Sequence, residues 1–245
     1  RVNLNQSDFD NCVGNSVFSI VVGVYNNGSS ELHIDEIRFH PTDALMKTYS
    51  YKPGFGIISE SGPNNVFTYT EYDDLSRVHR VRDHDGNIII NKSYVVNQNL
   101  SNGPNSILTQ KINKDGILDD DDLGDLKTRD ALQTYEYLDG MARSIQTVQK
   151  AYSPNSKDFV SFASYNKHGS QDTLWLPYAS DESDGSYKTD ARGDIFDFYS
   201  ASGSKIAYTY FPFSEIEYES SPRGMVTETS NPGSSWHLSQ GHTKE

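Results

Sequence analysis

The densest set of chemistry-bearing side chains in the sequence lies between Lys111 and Asp122. Set against the oxygen-ligand spacing of an EF-hand loop, Asn113, Asp115, Asp119 and Asp122 fall on ligand positions. Gly116 falls on the sharp turn, and Ile117 on the position that offers a backbone carbonyl. Hard oxygen donors at that spacing suit calcium, the one cofactor these residues suggest. The pattern departs at its first position, where Lys111 stands in place of an aspartate. It departs again at its last, where Asp122 is shorter than the usual glutamate. A solvated acidic loop without any metal accounts for the same residues.

Other constellations are weaker. His33, His40, His79, His84, His168, His237 and His242 are scattered with no His-x-x-x-His pair, so zinc is not expected. His79 with Asp83 and Asp85 reads as turn chemistry. The single cysteine, Cys12, rules out an internal disulfide and a cysteine zinc site, and reads as a small buried apolar residue. No Gly-x-Ser-x-Gly elbow occurs. With 34 acidic residues, carboxylate pairs can be drawn anywhere, so none is singled out. The chain is therefore expected not to be an enzyme, and a hydrolase is the least supported reading. Arg192-Gly193-Asp194 reads as a turn before a strand. Trp175 and Trp236 are the rings that would stack on a sugar, although a tryptophan near proline commonly packs into a core or an edge.

The net charge of −13 repels phosphate backbones and anionic lipid, so nucleic acid is not an expected partner. The longest apolar run, residues 17–24, is strand-length, so membrane insertion is not expected either. The chain opens on Arg1 as though in mid-domain, as expected of a processed product or a fragment of a longer polypeptide.

The elements that must carry these residues are strands. With 16 Tyr and 11 Phe and few Leu, Ala or Met, the composition suits half-buried strands, and no long helical stripe is visible. Residues 17–24 are apolar on both faces, as in a buried sandwich strand, and residues 32–39 alternate with period 2. Residues 44–97 read as a meander, with Asp85-Gly86 as a strong hairpin signal. Residues 98–132 read as an acidic linker with a short helix at 123–132. Residues 133–245 return to strands, with a polar turn at 181–193 and strands at 195–199, 206–213 and 225–229. The expected class is all-β.

A repeat runs through this plan. Tyr69-Thr-Glu-Tyr72-Asp73-Asp-Leu-Ser-Arg77 has an aromatic pair, an acid, and an arginine closing a short turn. Tyr135-Glu-Tyr137-Leu-Asp139-Gly-Met-Ala-Arg143 repeats it with one extra residue, and residues 165–170 form a reduced copy. The aromatic should end a strand, the aspartate cap the turn, and the arginine pair with that aspartate or lie across the preceding rings. A lone hairpin of this kind leaves an apolar face that stacked neighbours must cover.

This pattern resembles the YD repeat of Rhs and teneurin-like proteins, Tyr-x-Tyr-Asp-x-x-Gly-Arg-Leu. The stretch from Met46 to Ile88 looks like a terminal YD block. Residues 134–236 resemble the domain flanking Rhs repeats, through Tyr137–Val148, Ser153-Pro154, Lys157-Asp158, Leu176-Pro177-Tyr178, Glu219–Pro222 and Asn231–Trp236. Residues 16–43 look like the closing strands of a jelly roll. The consensus turn glycine is Ser76 in one copy and Ala142 in the next, and Ser170 replaces the arginine in the third. If the turns need positive φ, those residues are costly there.

The resemblance implies four segments. Residues 1–43 would end a β-sandwich, 44–97 form YD hairpins, 98–132 link, and 133–245 form the flanking β domain. It also implies a β-sheet spiral that encloses a cargo or toxin. The expected function is a structural segment of a large bacterial protein, secreted or at the cell surface. The expected partners are the rest of that polypeptide or a cell-surface assembly. Adhesion to glycans is the alternative.

Overall fold

The computed structural model describes residue 28 and residues 44–97, 103–201, 205–221, 223–238 and 240–244. The expected jelly-roll strands of 1–43, with Cys12, lie outside the described residues. The chain divides into two compact units, Arg1–Thr48 with Ser61–Val66, and Tyr49–Glu60 with Phe67–Glu245. In the first, the Thr48 and Ser61 hydroxyls lie 2.9 Å apart in a hydrogen bond. A turn from Gly62 to Val66 places Asn65 at φ 61°.

The described part of the chain is nearly all β. Its strands are β1 (Thr48–Lys52), β2 (Gly56–Ser61), β3 (Phe67–Tyr72), β4 (Val78–Arg82), β5 (Ile88–Val95), β6 (Asn105–Ile112), β7 (Ala131–Leu138), β8 (Ser144–Gln149), β9 (Phe159–Phe162) and β11 (Tyr178–Ala179). They form one ten-stranded sheet in the order β1-β2-β3-β4-β5-β6-β7-β8-β9-β11. It is antiparallel and not a closed barrel. A three-stranded sheet joins β10 (Thr173–Trp175), β12 (Phe213–Tyr218) and β13 (Val226–Thr229) in the order β10-β12-β13.

Register decides which residues meet. Pairing places Tyr135 opposite Val148, Tyr137 opposite Gln146, Val148 opposite Val160, and Val160 opposite Tyr178. Alternation along each strand then puts these side chains on one face. That face is covered by helix α2 (Ala191–Ser200), through Ala191 and Ile195 in the dry core and Phe198 and Tyr199 at its margin.

The helix replaces the strand expected at 195–199 and takes over the last three residues, 191–193, of the expected turn. Aromatics gave that segment a strand-like composition. At helical period, however, Ala191, Ile195, Phe198 and Tyr199 form a single stripe that the sheet covers. Asp190 starts the helix by accepting the Gly193 N–H at 3.1 Å. The Arg192-Gly193-Asp194 triplet is thus the first turn of a helix, not a turn before a strand.

Three further expectations change. The acidic linker at 98–132 contains β6, which lies between β5 and β7 in the sheet. The short helix expected at 123–132 is α1 (Asp120–Gly124), and Ala131 already opens β7. The strand expected at 206–213 begins only at Phe213. Between β6 and β7 the chain folds back and plugs a second small core of Ile88, Ile112, Ile117 and Ala131, with Leu123 and Leu126 against it.

Candidate functional site

The turn after β3 is a three-residue hairpin loop closed by a bulge. Asp73 N–H donates to the Arg77 carbonyl at 2.9 Å, and Ser76 N–H to the Asp73 carbonyl at 2.9 Å. This geometry leaves the Leu75 and Arg77 amides pointing inward, and Asp73 Oδ1 accepts both, at 3.0 and 2.9 Å. Arg77 returns to Asp73 Oδ2 through Nε at 2.8 Å and through its terminal nitrogen at 2.7 Å. The arginine hydrogen bond, opposed by partial desolvation and helped by the two amides, holds the Asp73 carboxyl below its ordinary range.

The turn after β7 has the same bonds. Asp139 Oδ1 accepts Met141 N–H at 2.8 Å and Arg143 N–H at 2.9 Å. Arg143 reaches Oδ2 at 2.7 and 2.6 Å. The Arg143 amide bond is the main cause of the lowered Asp139 pKa. In both hairpins the register shifts by one residue just before the turn, at Glu71/Tyr72 and at Tyr137/Leu138. That bulge absorbs the extra loop residue.

Each arginine then clasps a ring. Arg77 lies 4.0 Å over Tyr94, whose hydroxyl donates to the Val78 carbonyl at 2.9 Å. Arg143 lies 4.2 Å over Tyr165, whose hydroxyl donates to the Ser144 carbonyl at 2.8 Å. Of the two expected placements the arginines take the pairing with aspartate, and the ring each covers comes from later in the chain rather than from the preceding tyrosines. The preceding tyrosines have other work. Tyr72 donates to the Ile57 carbonyl at 2.8 Å and Tyr137 to the Gly185 carbonyl at 2.7 Å.

The positions lacking the consensus glycine do require positive φ: Ser76 sits at 61° and Ala142 at 60°. A left-handed non-glycine residue costs about 1–2 kcal/mol. The cost is accepted because the surrounding bonds leave no other conformation.

The same turn recurs where sequence reading saw less. Asp83 Oδ1 accepts the Asp85 and Asn87 amides at 3.0 and 2.9 Å, with Gly86 at φ 88° and Asn87 Nδ2 replacing the guanidinium at 3.0 Å. Asn166 does likewise for His168 and Ser170, at 2.9 and 3.1 Å, with Gly169 at φ 82°. Ser153 gives a reduced version, its Oγ accepting Lys157 N–H at 3.0 Å.

The acidic run is docked on one of these turns. Gly116 N–H donates to Asn87 Oδ1 at 2.9 Å, and Ile88 N–H to the Ile117 carbonyl at 2.7 Å. Asp119 caps α1 by accepting the Asp121 and Asp122 amides, and Asp122 answers by accepting the Leu118 and Asp119 amides. These amides lower the Asp122 pKa. Asp120 pairs with Arg80. The Asn113 backbone N–H donates to the Asp130 carbonyl at 2.8 Å, and Asp115 is exposed. Among the described residues the acids of this run do not gather around one point. The set close enough to share an ion is Asp83, His84 and Asp85, on an exposed turn.

The two tryptophans separate. Trp175 is half-buried between Phe162, Phe196 and Phe213, and its Nε1 donates to Ser164 Oγ at 3.1 Å. Trp236 is exposed, 5.2 Å from the His242 ring. A shallow, open groove of about 520 Å³ is lined by Asp172, Thr173, Glu215, Ile216, Glu217, Glu228 and Leu238, with no histidine, cysteine or serine among them.

One cluster escaped the sequence entirely. Asp158 is fully buried. Its Oδ1 accepts Ala151 N–H at 2.9 Å, and its Oδ2 accepts Gly185 N–H and Lys188 Nζ, each at 2.9 Å. Lys188 Nζ also reaches Glu182 Oε2 at 2.5 Å and Ser186 Oγ at 3.1 Å. Burial alone would lower the Lys188 pKa, but Glu182 and Asp158 more than offset it and the value lies above the ordinary one. The lysine bond in turn lowers Glu182, and the Ser186 amide draws Asp184 down to about 2. Gln146, also buried, clamps the Lys188 backbone with paired bonds of 2.8 and 3.0 Å. The segment around Lys188 is so polar that it reads as an exposed turn, and pattern alone carries no sign of its burial.

These features define an all-β protein whose hairpins are latched by repeated aspartate turns. Residues 110–245 match a family described as a domain of unknown function (DUF6443), and the chain belongs to that family. No curated protein matches the chain.

Proposed function

We propose that this chain is a non-catalytic structural segment of a larger exported or cell-surface bacterial protein, built on the YD-repeat plan of Rhs-like proteins. The observation that carries this reading is the pair of turns at 73–77 and 139–143, with the same bonds and the same arginine-on-tyrosine clasp. Such a clasp ties a turn to the chain beyond its own hairpin, at Tyr94 in β5 and at Tyr165 after β9. A sheet built this way extends hairpin by hairpin, as a scaffold or shell requires. Among the described residues no helix is long and apolar enough to cross a membrane.

The test is to probe the source bacterium with antibody against this chain. A species much heavier than the chain, digested by protease added to intact cells, is the expected result. A species of the chain's own size, protected inside the cell, would sink the reading.

The glycan alternative now rests on Trp236, because Trp175 is packed. Glycan-array binding lost in Trp236→Ala would favour it. Calcium binding by the acidic run is tested by calorimetry, where no heat and an unchanged Tm would end the idea.

A further inference from the structure

We infer that Lys188 and Asp158 form an intramolecular isopeptide bond, with Glu182 as the proton shuttle. The reacting groups are already in contact: Lys188 Nζ lies 2.9 Å from Asp158 Oδ2. Both side chains are sealed from solvent, at 3% and 0% exposure. Water that would compete or hydrolyse is excluded there. Holding an amine against a carboxyl in one orientation removes most of the entropic barrier to joining them.

The surroundings supply the remaining needs of an acyl transfer. Ala151 N–H, 2.9 Å from Asp158 Oδ1, is placed to stabilise that oxygen as it gains charge. Gly185 N–H holds Oδ2, the oxygen that must leave. Glu182 touches Nζ at 2.5 Å, yet its own side chain is 58% exposed, so it joins the buried amine to solvent.

The step balances without any co-reactant. Lys188 Nζ passes one ammonium proton to Asp158 Oδ2, leaving a neutral amine and a carboxylic acid. The nitrogen lone pair attacks Cγ, and a C–N bond forms. The nitrogen, now positively charged, gives a second proton to Glu182, which hands it to the Oδ2 hydroxyl. The Cγ–Oδ2 bond breaks, and Oδ2 departs as water. The third nitrogen proton stays on the amide, and Glu182 returns to its carboxylate. An ion pair held in a dry interior is replaced by a neutral amide, which relieves the desolvation of both charges.

The product would staple the segment before β9 to the cover that precedes α2. The described residues contain no cysteine with which to do so otherwise. The raised Lys188 pKa makes the neutral amine scarce and the reaction slow. One turnover in the lifetime of each molecule suffices.

The experiment is intact-mass spectrometry on the purified, folded full chain after incubation at neutral pH, followed by peptide mapping. The expected result is a mass lower than the sequence mass by one water, with a branched peptide joining Asp158 to Lys188. Glu182→Gln should keep the full mass while giving the same circular dichroism. A folded wild-type chain at its full mass would overturn the bond. A Glu182→Gln chain that still loses water at the wild-type rate would overturn the shuttle. Neither result bears on the proposed structural role.

Discussion

The ten-stranded sheet has two halves that share a turn and differ in what covers them. Around β3–β6 the latched turn at Asp73 leads into a face with buried polar groups. Asn91 and Gln110 pair at 2.9 Å, and the cover is the acidic excursion, whose own core is small. Around β7–β11 the same turn at Asp139 leads into a dry core. There Val148, Val160, Tyr178 and Ile195 are almost wholly buried beneath α2 and the Lys188 segment. Local turn chemistry therefore sets the hairpin, while burial sets how much each half contributes to stability.

The largest test of that contrast compares two glycines. At Gly185 (φ 82°) an added Cβ would meet Tyr135 Cε2 at 2.4 Å, whereas at Gly86 (φ 88°) it would meet nothing within 4 Å. Gly185→Ala is expected to cost about 3 kcal/mol or more, from clash and backbone strain together. Gly86→Ala should cost about 1 kcal/mol from the backbone alone. Urea denaturation measures both, and equal losses would mean the cover over β7 adds no constraint.

An alkaline titration comes next. Burial pushes Tyr137 up to about 12, and burial together with the Asp194 carboxylate raises Tyr178 further. Neutral tyrosine is favoured in the folded state. Their stabilisation is thus complete below pH 10, the ordinary tyrosine value, and falls as pH rises from there toward 12. Thermal melts across that range should show Tm falling, and Tyr137→Phe should flatten part of the fall.

The turns themselves give a smaller effect. Asp139→Ala removes the amide acceptor and the arginine partner together, and is expected to lower Tm by several degrees. Asp139→Asn keeps the acceptor, as Asn166 does, and should lower it less. In acid, the depressed Asp73, Asp83 and Asp139 carboxyls hold full stabilisation above their ordinary value of 3.8 and lose it as pH falls through their folded values. Smallest of all, Ser76→Gly and Ala142→Gly should each stabilise by about 0.5–1 kcal/mol through relief of left-handed strain. A loss of stability from both would mean that their Cβ atoms make contacts worth more than that strain.

Much of the hairpin architecture was legible because its causes are local. Asp73, Arg77, Asp139 and Arg143 form their turns from bonds within five residues, so type and spacing were enough. The Asp83 turn was read as a hairpin from Asp-Gly alone, and its kinship with the others appeared only when Asn87 was seen in the arginine's place. The acidic run is the opposite case, because its ion-pair partner is not local. Its carboxylates cap a helix and pair with Arg80, a residue distant in sequence, and a ligand-like spacing cannot distinguish those uses.

By itself, then, the sequence determined that the chain is β, where its tightest hairpins turn, and that those turns repeat. Period-2 alternation and aspartate turns are short-range causes that leave a short-range record. Only the tertiary structure decided that residues 191–200 are a helix, because the sheet supplies the surface that makes their apolar stripe favourable. It alone brought Asp158 and Lys188, with Glu182 beside them, into contact across the fold. A buried charge is stable only where distant groups compensate it, and spacing along the chain carries no trace of which groups those are.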